Sequence, residues 1–164
     1  MLLQLKEVFQ NDGHRLSLDY SLPMQEVELN GDYPFKSPVQ LSVEAVNRAG
    51  LVKLTIVAEF IFSTHCDRCF DEIEKSFKFT FNHGLAVELI DEENDDYIET
   101  PDYQLELDDL AISDILLELP SKFLCNDDCK GLCQNCGKNL NKGECDCSKS
   151  NVDPRLDILK QLID

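Results

Sequence analysis

Leu54-Thr55-Ile56-Val57-Ala58-Glu59-Phe60-Ile61-Phe62 puts Leu54, Ile56, Ala58, Phe60 and Phe62 on one side of an extended chain. Downstream, Ile73, Lys75, Phe77, Phe79 and Phe81 alternate with Glu72, Glu74, Ser76, Lys78 and Thr80. Period-two patterning rich in β-branched and aromatic residues is the signature of half-buried strands. Upstream, Val39, Leu41, Val43 and Ala45 alternate with polar residues, and Asn47-Arg48-Ala49-Gly50 supplies turn chemistry. Asn82-His83-Gly84 reads as a further turn. These runs predict an antiparallel sheet, open or barrel-like. The phenylalanines belong to its core. As base-stacking platforms they would need interleaved basic residues, which are few here.

The period then changes. A short strand near Tyr103 and Leu105 is followed by a helix with Asp108 or Asp109 as its cap. Ile112, Ile115, Leu116 and Leu119 form its apolar stripe, and Pro120 ends it. Asp91-Glu92-Glu93-Asn94-Asp95-Asp96 is too charged to pack and reads as an exposed loop. Near the end, Asp153 as N-cap and Pro154 at the first helical position predict a terminal helix with Leu156, Leu159 and Ile163 on one stripe. So short a helix must bury that stripe to persist. The expected class is α+β: a sheet domain with one helix over 1–121, then a cysteine-rich module with its terminal helix over 122–164.

Eight cysteines provide the chemistry. Cys133-Gln134-Asn135-Cys136-Gly137 is a compact knuckle, and Cys145-Asp146-Cys147 follows after a short loop. Cys133, Cys136, Cys145 and Cys147 make a first expected zinc site, since paired thiols at such spacing suit a tetrahedral ion. Cys66-Asp67-Arg68-Cys69 lies between two predicted strands, and Cys125 and Cys129 are left over. Pairing these four gives a second expected site that clips the sheet domain to the module. The alternative joins Cys129 to Cys133 and leaves Cys125 free. One or two zinc ions are expected. Four thiolates leave no position for water, so the metal is structural.

Compartment favours zinc over disulfides. The N-terminal residues do not read as a signal peptide, and no apolar run approaches the roughly 20 residues of a membrane span. A cytoplasmic chain is expected, where thiols stay reduced. The formal charge is −17. Residues 122–164 hold seven basic and seven acidic side chains, so the whole excess lies in residues 1–121. Such a surface is expected to contact naked RNA only weakly, and it suits basic partners. Arg68, Lys130, Lys138 and Lys142 surround the knuckles as local RNA contacts at most. His14 and His83 read as surface residues.

As an enzyme the chain would be a thiol–disulfide oxidoreductase using Cys66 and Cys69, or would use His65 to activate Cys66. Redox dithiols usually open a helix, and none is evident here. Adjacent residues on a strand point to opposite faces, which makes the His65 geometry awkward. No Walker loop, dinucleotide fingerprint or nucleophile elbow is present. A non-enzymatic role is expected.

The string Leu119-Pro120, Cys125-x-x-x-Cys129-Lys130-Gly131-Leu132-Cys133-x-x-Cys136-Gly137-x-Asn139-Leu140-Asn141, Cys145-x-Cys147 and Asp153-Pro154-Arg155-Leu156 strongly resembles the bacterial YceD family. Cys66-x-Arg68-Cys69 at a strand end fits the same resemblance. It implies a factor for accumulation of large-subunit ribosomal RNA. With the charge, it points to a ribosomal protein or pre-ribosomal particle as partner and to no membrane.

Overall fold

Alternation along the chain builds one dominant sheet. The computed structural model describes residues 1–29, 31–88, 97–145 and 147. Strands β2 (Arg15–Leu22), β3 (Val39–Arg48), β4 (Leu51–His65), β5 (Glu72–Ala86) and β6 (Tyr97–Glu99) lie in the order β2-β3-β4-β5-β6. The first four strands pair antiparallel. The fifth departs from the expectation, because β6 runs parallel to β5. Among the described residues β2 and β6 are its two edges, so the sheet curls as a half-barrel without closing.

One face of this sheet carries the core. Val39, Leu41, Val43 and Ala45 on β3 are buried, as are Val52, Leu54, Ile56, Ala58, Phe60 and Phe62 on β4. The register places Phe60 opposite Phe77 and Ala58 opposite Phe79, so aromatic and small side chains interlock across the ladder. Phe60 is 5.6 Å from both of those rings, and Phe35 reaches in from the β2–β3 connection to 5.3 Å from Phe62. The phenylalanines are packing residues.

The lid over this face comes from the first residues of the chain and from the segment that follows the sheet. Strand β1 (Leu2–Gln4) pairs antiparallel with β7 (Gln104–Glu106), flanked by helices α1 (Lys6–Gln10) and α2 (Leu107–Glu118). Leu3, Leu5, Val8, Leu105, Leu107, Ala111 and Ile115 bury themselves in the same cluster. Among the described residues no helix is long and apolar enough to cross a membrane.

Three local expectations are corrected. Asn82-His83-Gly84 is not a turn: β5 continues to Ala86, because β4 offers paired backbone partners along the whole stretch. Ladder pairing overrides the turn preference of that tripeptide. His83 is not a free surface residue either, since its Nε2 lies 2.7 Å from Asp114 Oδ2 with both side chains mostly covered. Helix α2 begins at Leu107 without a side-chain cap, and Asp108 and Asp109 sit in its first turn, where carboxylates suit the helix dipole. Its deepest stripe is Leu107, Ala111 and Ile115, with Ile112, Leu116 and Leu119 packed at the margin. The acidic run 91–96 and the terminal helix with Leu156, Leu159 and Ile163 lie outside the described residues.

The β3–β4 hairpin closes through Ala49 and Gly50, both at positive φ, as a tight turn between twisted strands requires. Buried Asn47 fastens it to α1. Its Nδ2 donates to the carbonyls of Val8 (2.8 Å) and Phe9 (3.2 Å), and its Oδ1 accepts from the Gly50 amide (3.0 Å). Asn47→Ala removes all three bonds and leaves the Val8 carbonyl buried without this donor. It is expected to cost about 2–3 kcal/mol, measurable as a lower urea midpoint with unchanged slope.

Candidate metal centre

Strand β4 runs out at His65, and the next residues turn back into β5 around Cys66 and Cys69. The turn is held by the Cys66 amide donating to the Asp71 carbonyl (2.8 Å) and the Phe70 amide donating to the Cys66 carbonyl (2.9 Å). The segment after α2 then lies against it. Asp67 and Phe123 exchange two bonds, with the Asp67 amide on the Phe123 carbonyl and the Phe123 amide on Asp67 Oδ2. Arg68 Nη1 donates to the Cys129 carbonyl at 3.0 Å and to that of Asp127 at 3.4 Å.

Gly131 makes this approach possible. It sits at φ +73, and a Cβ there would stand 3.0 Å from the Arg68 carbonyl oxygen, which already accepts from the Leu132 amide. Only glycine fits so near a neighbouring backbone with that dihedral.

The result brings Cys66, Cys69, Cys125 and Cys129 together, with sulfurs all within 4.8 Å of one another. Cys66 and Cys129 stand 3.8 Å apart, and Cys69 and Cys125 3.7 Å. Cys133, Cys136, Cys145 and Cys147 form a second cluster under the same limit, with Cys133 and Cys145 at 3.4 Å. A tetrahedron with 2.3 Å zinc–sulfur bonds has edges of about 3.8 Å. A disulfide would need sulfurs at about 2.05 Å, and all eight cysteines are free. Both clusters are therefore geometrically able to coordinate a metal. Cys129 lies with Cys66 in this grouping, not with Cys133. The inner cluster is the more enclosed: Cys66, Cys69 and Cys129 are buried, whereas no member of the outer cluster is.

Backbone amides converge on the sulfurs. Burial pushes the Cys66 thiol up, but the amides of Arg68, Cys69 and Cys125 outweigh it and bring it to about 6. The amides of Cys136 and Asn135, aided by the Cys145 thiol, bring Cys133 to about 6. Asn141, whose Nδ2 donates to Cys129 Sγ at 3.2 Å, holds that thiol below its ordinary value. Cys125, Cys69 and Cys147 are raised instead. Burial and then the thiols of Cys129, Cys69 and Cys66 push Cys125 to about 12. The Asp71 amide pulls Cys69 down, yet burial and the thiols of Cys66 and Cys129 leave it raised. Cys136 pushes Cys147 to about 12. Four sulfurs this close carry full charge together only around a cation.

The sign of the pH dependence follows. At pH 7 Cys69 and Cys125 hold protons that a metal must displace, so binding at the inner cluster is expected to release at least about two protons per ion. Affinity then rises with pH and falls as pH drops. Calorimetric titration with zinc in buffers of different ionisation enthalpy measures the number directly.

The two knuckles are bridged. Asp71 accepts from Asn139 Nδ2 (2.9 Å) and pairs with Lys142 Nζ (2.8 Å), which holds its carboxyl below the usual range. Lys138 Nζ donates to the Glu144 carbonyl. Of the four cations expected near the knuckles, Arg68, Lys138 and Lys142 thus already hold structural partners, and Lys130 is exposed. His65 does not face Cys66 as a base; its ring stacks on Phe70 at 4.6 Å, with Asp32 and Glu72 oxygens 4.0 Å from its nitrogens. Sequence reasoning missed Asn141, Asp71 and Phe70. Phe70 had a legible signal, because it takes the place after Cys-x-x-Cys that Gly137 fills in the other knuckle.

Residues 54–163 match the family described as "Large ribosomal RNA subunit accumulation protein YceD". The chain is 28% identical over 152 residues to "Large ribosomal RNA subunit accumulation protein YCED homolog 1, chloroplastic" of Arabidopsis thaliana, covering 74% of this chain and 47% of that protein. It is 25% identical over 182 residues to the protein of the same description in Zea mays, covering 92% and 62%. An uncharacterised protein of Mycobacterium leprae is 29% identical over 106 residues, covering 62% and 48%. The chain thus spans about half to three fifths of the length of these relatives. No solved structure matches.

Proposed function

The chain belongs to the YceD family, and from that premise we propose that it is a non-enzymatic factor promoting accumulation of large-subunit ribosomal RNA, scaffolded by two structural zinc ions. The observation that carries this reading is that the matched residues 54–163 contain all eight cysteines and both four-sulfur clusters. In this reading Cys66, Cys69, Cys125 and Cys129 hold one ion, and Cys133, Cys136, Cys145 and Cys147 the other. The first ion joins the sheet domain, residues 1–121, to the module that follows. Full thiolate ligation suits a scaffold and leaves no site for a substrate.

The charge of −17 supports a basic protein partner, a ribosomal protein or pre-ribosomal particle, over direct grip on RNA. Free thiols at these spacings suit the reducing cytoplasm. The competing oxidoreductase reading is disfavoured by access. Cys66 and Cys69 are 1% and 3% exposed, and the turn that carries them opens no helix to stabilise a thiolate, so neither has the setting of a redox dithiol. The test is depletion of the protein followed by quantification of large- against small-subunit ribosomal RNA. A selective loss of the large-subunit species, restored by the wild-type chain, is expected; an unchanged ratio removes the proposal.

A further inference from the structure

Phe70 breaks a local rule. In both knuckles the residue after the second cysteine donates its amide to the first cysteine's carbonyl, Gly137 at 2.8 Å and Phe70 at 2.9 Å. Both adopt the left-handed conformation, Gly137 at φ +73 and Phe70 at φ +62. Glycine does this freely, whereas a bulky aromatic side chain is strained there. The strain yields no burial in return, since Phe70 is 71% exposed. Strain held at an exposed aromatic points to use rather than to packing.

The ring does not wave freely. It stacks on His65 with planes 14° apart, and its backbone is pinned by the knuckle. It stands at the mouth of a cleft of about 770 Å³ between the knuckle, the β2–β3 connection and the end of α2. Leu29, Phe62, Leu119 and Phe123 supply its apolar lining, with Asp32 and Asp67 among its polar residues. Asp32, Glu72 and Glu74 line an adjoining hollow that shares His65, where Lys36 is the one basic residue beside that histidine. An apolar cleft with a carboxylate margin, on a domain carrying the whole −17 excess, repels phosphate and attracts cations.

We infer that this cleft docks a Lys- and Arg-rich protein segment, which inserts an apolar side chain against Phe70 while its cations meet Asp32 and Glu72. The inference deepens the partner reading given above, and rests on it for the set of partners to be searched. A rigid aromatic beside a concave apolar surface is the usual make-up of a binding hot spot.

The zinc-loaded full chain is to be titrated by fluorescence anisotropy against overlapping labelled peptides covering the large-subunit ribosomal proteins, and against labelled oligouridylate. Basic peptides bearing an aromatic or leucine residue are expected to bind, more weakly as salt rises. Phe70→Gly should weaken them at least about tenfold without lowering the melting temperature, because glycine relieves the left-handed strain. Phe70→Asn, which tolerates the same dihedral, should weaken them likewise. Asp32→Asn with Glu72→Gln should flatten the salt dependence. Equal peptide affinity in wild type and both Phe70 variants overturns the inference, as does binding of oligouridylate alone. Replacing Phe70 with a photo-crosslinking phenylalanine adds a further check: a crosslink within the chain to residues 148–164 would show the cleft filled by its own terminus and overturn it too. Should Phe70→Gly restore ribosomal RNA in depleted cells as well as wild type, the docking inference fails while the proposed function stands. An unchanged RNA ratio on depletion removes the function itself.

Discussion

Cys66→Ser is expected to cost this fold on the order of 5 kcal/mol, and one bound zinc ion with it. Cys66 is 1% exposed, accepts the Cys125 amide at 3.3 Å and stands 3.8 Å from Cys129, so it is the deepest sulfur of the inner cluster. Without it, the turn between β4 and β5 keeps its Asp67–Phe123 and Arg68–Cys129 bonds to the segment that follows α2 but loses the sulfur cage. The three remaining thiols would need a water as fourth ligand, which weakens the ion's hold. For a chain of this size that loss corresponds to about 10–20 °C of melting temperature. Cys136→Ser, in the exposed outer cluster, should also lose one ion but shift the melt less, because fewer sheet contacts depend on it. Equal shifts in the two variants would show that the inner cluster does not clip the fold together.

Phe35→Ala is expected to cost about 3–5 kcal/mol by a different route. The ring is 1% exposed and packs 5.4 Å from Phe60 and 5.3 Å from Phe62, where it fastens the β2–β3 connection to the middle of the sheet. Truncation leaves a cavity that a close-packed interior fills poorly. None of its ring contacts touches a cysteine, so zinc per chain should stay at the wild-type value while the denaturation midpoint falls. Loss of metal in Phe35→Ala would mean that the core and the clusters do not fold independently.

The long strands were legible because alternation is a local signal that the sheet then rewards. Leu54 to Phe62 and Phe77 to Phe81 pack as their period demands. The parallel edge strand β6 was not legible, since three residues carry no period and direction is set by the connection. The amphipathic β2, with Leu16, Leu18 and Tyr20 facing the core, was readable by the same alternation but its single half-buried face is a weaker pattern. The thiol groups were legible from spacing alone for Cys133, Cys136, Cys145 and Cys147. Bringing Cys66 and Cys69 to Cys125 and Cys129 depends on Gly131 and Arg68, whose contacts span distant sequence. Helix α2 shows the limit of cap rules: Asp108 instead accepts from the Tyr20 hydroxyl and pairs with the Met1 amino group.

The most direct measurement is zinc-edge X-ray absorption on the purified chain, with metal per chain determined on the same sample. Two zinc ions per chain, each surrounded by four sulfurs at about 2.3 Å, are predicted. Nitrogen or oxygen neighbours in the first shell, or a single ion with the other four cysteines joined as disulfides, would contradict the two-site scaffold.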